Sequence, residues 1–173
     1  MAVPNNKILF TEEQIRKRAG EIGAQIDKDY EGESIYLVGT LRGAVVWMAD
    51  IMKSISLDVE VDFVAASSYA GTNTTGVVTI KKDVDGNVEG KNVIIVEDIV
   101  DTGTTLLKLM EYFKARGAKS VEICSMLNKP SRRTADVEPK YCGFDIDNLF
   151  VIGYGLDFDQ KYRNLPYIGY IEG

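Results

Sequence analysis

Hydrophobic positions change period several times along the 173-residue chain, and those changes outline its elements. Thr11-Glu12-Glu13-Gln14 has the spacing of a capping box, and Ile15, Ala19, Ile22 and Ile26 continue at helical spacing toward Tyr30. A short apolar run over 35–39 predicts a strand, followed by Leu41-Arg42-Gly43 and the helix-like stretch AVVWMADIM. Residues 59–67 alternate like a strand, and 77–82 resemble its antiparallel partner. The turn signal Asp85-Gly86-Asn87 precedes a β-branched run over 93–96, the composition of a strand buried on both faces. A helix is expected from the small, hydroxyl-rich stretch at 101–105 through Arg116, with further strands over 121–127 and 150–154. Strands alternating with helices predict a parallel α/β sheet. Residues 156–173 are aromatic and charged, interrupted by Pro166, and break that alternation.

The length predicts one domain over 1–173, with no repeat or low-complexity stretch. A formal net charge of −6 argues against a general nucleic-acid surface, although a local nest of amides and a few basic residues suffices for an anionic substrate. Cys124 and Cys142 form neither a metal-like pattern nor a disulfide framework. Without a signal peptide or a long apolar span, a cytoplasmic location and no membrane partner are expected. The chain has no histidine, which excludes Ser-His-Asp and Cys-His mechanisms and histidine metal sites. Acid–base chemistry falls to carboxylates, lysine, tyrosine or water.

Residues 93–106 read VIIVEDIVDTGTTL, and candidate chemistry concentrates there. Glu97 and Asp98 follow the apolar run, and Asp101-Thr102-Gly103-Thr104-Thr105 opens the helix. A helix start of this kind presents unpaired N–H groups and a favourable dipole to an anion; the threonines add hydroxyl donors, and Gly103 admits close approach. The adjacent acids cannot bind phosphate. They suit hydroxyl groups, magnesium or a proton in transit. Together these parts describe a sugar phosphate held by its phosphate, with its diol facing acids. Taken singly each residue reads as a cap or a solvated loop position; the ordered set does not. No P-loop or Gly-x-Gly-x-x-Gly fingerprint is present.

This stretch resembles the phosphoribosyl-pyrophosphate signature of the type I phosphoribosyltransferases, in the variant carried by the 6-oxopurine salvage branch, and the resemblance extends over nearly the whole chain. It implies an α/β fold, a parallel twisted sheet flanked by helices, with a small hood from about 1–10 and 155–173 over a core of about 30–154. It implies transfer of a phosphoribosyl group from 5-phosphoribosyl 1-pyrophosphate to hypoxanthine, guanine or both, with Mg2+ as cofactor, in a homodimer or homotetramer. By the same resemblance Glu97 and Asp98 meet the ribose hydroxyls, Asp101 meets purine N7 as the catalytic group, and Thr102, Gly103, Thr104 and Thr105 hold the 5′-phosphate. Leu41, Arg42 and Gly43 match the pyrophosphate loop, in which a non-proline cis peptide aims amides at the anion. Arg42 stands where lysine is commoner in bacterial relatives, keeping the charge but changing its geometry.

Ser68 and Tyr69 match a Ser-Tyr pair on a mobile lid over 67–76, closing over pyrophosphate to keep water from a cationic transition state. Arg133 and Arg163 match basic residues near pyrophosphate. Lys129 matches the residue that contacts the purine 6-oxo group; Phe150 and Ile99 match its stacking faces, Val151 its edge, and Asp157 a residue near magnesium and the purine 2-position. Magnesium is expected at Glu97, Asp98 and Asp157. The rival readings are a xanthine-preferring purine transferase, an RNA-binding regulator on the same fold, and a structural domain without activity.

Overall fold

The computed structural model describes residues 6–68 and 78–171. The capping box forms as its spacing predicts: the Thr11 hydroxyl accepts from Gln14 N at 3.3 Å, and Thr11 N donates to Gln14 Oε1 at 2.9 Å. Helix α1, Glu12–Asp29, starts there and buries Ile15, Ala19, Ile22 and Ile26. The elements that follow are β2 (Ile35–Thr40), α2 (Val45–Ser54), β3 (Val59–Ser68), β4 (Val78–Lys82), β5 (Asn92–Val100), α3 (Thr104–Ala115), β6 (Ser120–Asn128) and β7 (Tyr141–Asp145). Strands β1 (Asn6–Phe10), β8 (Phe150–Ile152) and β9 (Ile168–Ile171) lie apart from that series.

The main sheet has the order β4-β3-β2-β5-β6-β7, parallel throughout except for the antiparallel edge pair β3–β4. Period-two alternation in the central strands divides the core. Ile35, Leu37, Ile94 and Val96 pack with α1 and α2 on one face. Tyr36, Val38, Val93 and Ile95 pack with α3 on the other. Both faces of β2 and β5 are therefore covered, which is why these strands read as continuous apolar runs. From β2 the chain leaves through α2 to β3 on one side, whereas β5 pairs on the opposite side of β2. That reversal opens a crevice at the carboxyl ends of β2 and β5, where open α/β sheets bind ligands.

Three departures from the expected elements bear on the site. Strand β5 continues through Glu97 and Asp98 to Val100, with Glu97, Ile99 and Val100 paired to β6. The acids thus stand on the sheet edge instead of in a loop beyond it. Strand β7 goes unmarked in the hydropathy pattern because Gly143 interrupts it, yet a β-carbon there would meet the Met126 carbonyl oxygen of β6 at 2.3 Å. The hood is a three-stranded antiparallel sheet in the order β1-β9-β8. Its third strand comes from 150–152, inside the span expected to be core, and α1, before residue 30, belongs to the main packing. Among the described residues no helix is long and apolar enough to cross a membrane.

Candidate active site

The crevice is closed by contacts that converge on Gly43. Gly43 follows the cis peptide Leu41–Arg42. A β-carbon at Gly43 would sit 1.5 Å from Asp98 Oδ2, and one at Gly155 would sit 2.0 Å from the Gly43 carbonyl oxygen. The loop after β2, the acid pair on β5 and the turn after β8 therefore touch through positions where a side chain has no room. Leu41 N donates to Val64 O at 2.8 Å and Ala44 N to Thr40 O at 3.3 Å. The amides of Arg42 and Gly43 between them bond to no other described residue, and such amides suit an anion.

Glu97 accepts a 2.6 Å hydrogen bond from the buried Thr40 hydroxyl at the end of β2. Burial first, and the neighbouring Asp98 charge second, hold its carboxyl well above the ordinary value of 4.5. A carboxyl raised in the folded state adds stability below its ordinary value, and that contribution is lost as pH rises through the shifted value. At pH 8 the carboxyl is therefore a liability that the fold tolerates for the site. Glu97→Gln keeps an acceptor for Thr40 and loses the charge, so it is expected to be more stable than the parent by about 0.5–2 kcal/mol at pH 8. The gap should shrink toward pH 4. Thermal unfolding at both pH values checks this, and a variant that melts below the parent at pH 8 contradicts it.

After β5 the chain turns through Asp101, Thr102 and Gly103 into α3. Gly103 is the N-cap with φ 81 and supplies no side-chain cap; Thr104 N donates to the Thr102 hydroxyl at a long 3.5 Å, that hydroxyl lies 3.4 Å from the Thr104 hydroxyl, and the N–H groups of Thr105 and Leu106 have no partner among the described residues. The threonine turn with Glu97, Ile99 and Asp101 lines a cavity of about 180 Å3, with Thr105 in its wall. The Asp101 carboxylate pairs with Arg132 Nε at 3.1 Å. Arg132 escaped the sequence reading; its signal was only the Arg-Arg pair after Lys129-Pro130.

Arg133, expected near pyrophosphate, has several protein partners. Its guanidinium is buried behind the threonine turn, donating to Asp101 O at 3.1 Å and to Val137 O and Asn128 Oδ1, and pairing with Glu138 at 3.2 Å. A β-carbon on Gly103 would meet the Arg133 Cδ at 2.9 Å. The Arg133 donors brace the turn from the protein side.

Lys129 is 9% exposed, and its ammonium donates to Leu149 O at 2.7 Å. Desolvation lowers its pKa from the usual lysine value. Next to Leu149, Phe150 is 52% exposed and meets Phe158 edge-on, ring centroids 5.5 Å apart. Phe158, 51% exposed, was not singled out in the sequence; an aromatic directly after Asp157 was the available hint. Val151 is buried and Ile99 partly buried, both packed in the α1–α2 face of the core.

Asp157 is held by Arg163 at 2.7 Å and accepts from Gln160 N at 2.9 Å, and Arg163 also donates to Gly155 O at 2.7 Å. Arg163 thus supports Asp157 and the turn against Gly43. Among the described residues no group of three or more acids, histidines or cysteines forms a metal-binding cluster. The expected set of Glu97, Asp98 and Asp157 is accordingly not a protein-only cage. Tyr69 and the rest of the expected lid beyond Ser68 lie outside the described residues, as does the side chain of Ser68.

This fold and this crevice define a class: the phosphoribosyl transferase domain family matches residues 5–159, and the chain belongs to it. A hypoxanthine-guanine phosphoribosyltransferase of Streptococcus thermophilus (strain CNRZ 1066) is 49% identical over 167 residues, 96% of this chain and 93% of that protein. One from Staphylococcus aureus (strain Mu50 / ATCC 700699) is 48% identical over 94% of this chain and 92% of its own length. The crystal structure of a hypoxanthine phosphoribosyltransferase from Staphylococcus aureus superimposes with a TM-score of 0.92 at 47% identity, over 96% of this chain and 91% of that one.

Proposed function

We propose that this protein is a cytoplasmic purine salvage enzyme that transfers the phosphoribosyl group of 5-phosphoribosyl 1-pyrophosphate to hypoxanthine or guanine, forming IMP or GMP and releasing pyrophosphate. One observation carries the reading. The crevice between β2 and β5 joins an acid pair, a helix N-terminus rich in hydroxyls and without a side-chain cap from Gly103, and a loop whose Arg42 and Gly43 amides bond to no other described residue, with Gly43 packed against Asp98. These are the complements of a ribose diol, a 5′-phosphate and a pyrophosphate.

In this reading the bond from ribose C1 to pyrophosphate oxygen breaks ahead of attack by purine N9, and positive charge grows on the ribose ring. Glu97 and Asp98 are fixed beside that ring and favour its charge electrostatically. Asp101 manages the proton near N7, and Phe150 stacks on the base. Lys129, a donor only, meets the 6-oxo oxygen and leaves a 6-amino group without an acceptor. The oxygen donors Glu97 and Asp98 fit magnesium, which is often held by one or two carboxylates together with substrate oxygens. When bound it neutralises charge on the leaving group.

Nucleotide formation measured with hypoxanthine, guanine, xanthine and adenine, with magnesium and after EDTA treatment, tests the reading. Hypoxanthine and guanine should react, adenine should be inert, and chelation should abolish the rate. Adenine turnover comparable with hypoxanthine would remove the 6-oxopurine assignment, a preference for xanthine would favour the rival transferase, and a full rate after chelation would remove the magnesium role.

A further inference from the structure

One short hairpin serves both the base side and the pyrophosphate side of the crevice. Phe158 N donates to Lys161 O at 3.1 Å and Lys161 N to Phe158 O at 3.0 Å, closing it. Asp159 and Gln160 within it have φ of 50 and 60, a region that side chains other than asparagine, aspartate and glycine rarely adopt. Asp159 suits that region, whereas Gln160 adopts it less readily. One arm carries Phe158, edge-on to Phe150 at an interplanar angle of 84°. The tip carries Gln160, whose side-chain oxygen accepts from Arg42 NH1 at 3.1 Å. The Gln160 backbone N–H also donates to the Asp157 carboxylate at 2.9 Å.

We propose that Arg42 and Gln160 form a latch that couples filling of the anion subsite at 41–43 to filling of the aromatic base subsite at Phe150 and Phe158. The proposal rests on the subsites assigned above, extends the base subsite from Phe150 to its edge-on neighbour Phe158, and adds a positioning role for Gln160. A guanidinium is a planar fork with five donors; one bond to Gln160 leaves others for an anion. An anion on Arg42 fixes the guanidinium, which fixes Gln160, the hairpin and the ring of Phe158. The first ligand then bears the ordering entropy for both, which makes the coupling positive and, by linkage, reciprocal. Lysine at position 42 keeps the charge but has no fork to span the two partners.

Calorimetric titration of the full chain with hypoxanthine, without and with saturating magnesium pyrophosphate, reads the coupling directly. In the parent protein pyrophosphate should tighten hypoxanthine binding by roughly 2- to 10-fold, the range of one hydrogen bond. Gln160→Ala and Arg42→Lys should each bring that ratio to about one, and the double variant should fall no further, as expected of one shared contact. Gln160→Glu keeps an acceptor and should retain the ratio. A purely structural loss would weaken binding equally under both conditions and leave the ratio intact. A parental ratio in Gln160→Ala overturns the latch; if that variant still forms nucleotide, the proposed activity stands. Failure of the parent to bind hypoxanthine under either condition overturns the base subsite and the latch together.

Discussion

Asp101→Asn is expected to lower turnover by roughly 10²- to 10⁴-fold, the usual worth of general acid–base help, with substrate affinities changed much less. The substitution is close to isosteric, and the structure shows why the turn should survive it. The Asp101 backbone carbonyl is held by Arg133 at 3.1 Å, a contact that the side chain does not control. The side-chain oxygen that accepts from Arg132 at 3.1 Å has a counterpart in asparagine. What disappears is the capacity to take and return a proton. Steady-state kinetics with both substrates varied separates the outcomes. A fall in turnover with steady affinities supports Asp101 as the proton-handling group, whereas near-normal turnover assigns that role elsewhere.

Gly43→Val is expected to reduce activity by about 10²-fold or more, the scale on which a 1 Å misplacement of a positioned group acts. From sequence the reason would be an obstructed path between the anion and the loop amides. The structure adds a more severe conflict, since a β-carbon at this position falls 1.5 Å from one Asp98 oxygen and 2.6 Å from its Cγ. Asp98 or the loop must move, and the Gly155 turn packed on the Gly43 carbonyl limits retreat in that direction. One substitution thereby disturbs the acid pair and the loop proposed for pyrophosphate together. Kinetics together with a circular dichroism spectrum distinguish a displaced site from an unfolded chain. Activity within tenfold of the parent in a folded Gly43→Val protein would show that the contact between loop and acid pair is dispensable.

Signals that depend on near neighbours were legible from the residues alone. The capping box at Thr11, the buried face of α1, the β-branched run of β5 and the hydroxyl turn before α3 each arise within a few residues, because helix and strand periods and capping bonds are local. The resemblance carried by VIIVEDIVDTGTTL is likewise a property of a short segment, and the family match over 5–159 agrees with it. The reach of β5 was not legible. Glu97 and Asp98 look like the start of a loop, and only the partner strand β6 keeps them in the sheet. Strand β9 was hidden for a related reason: Ile168–Ile171 is short and follows a proline-interrupted stretch, and only β1 and β8 on either side make it the centre of a sheet.

Which charged groups also brace the fold was decided by tertiary structure. Arg133 and Arg163 are expected from sequence near pyrophosphate; the tertiary structure adds their protein partners, the Asp101 and Val137 carbonyls for Arg133, and Asp157 and the Gly155 carbonyl for Arg163. The bond between Arg42 and Gln160 spans 118 residues of sequence, and no periodicity reports a contact at that distance. The residues themselves thus determined the elements and the chemical kinds of group at the site, because propensity, capping and hydropathy act within a turn or a strand. The order of the strands around the switch between β2 and β5 determined which of those groups meet, because that order comes from burying both faces of one sheet and is not written in any single segment.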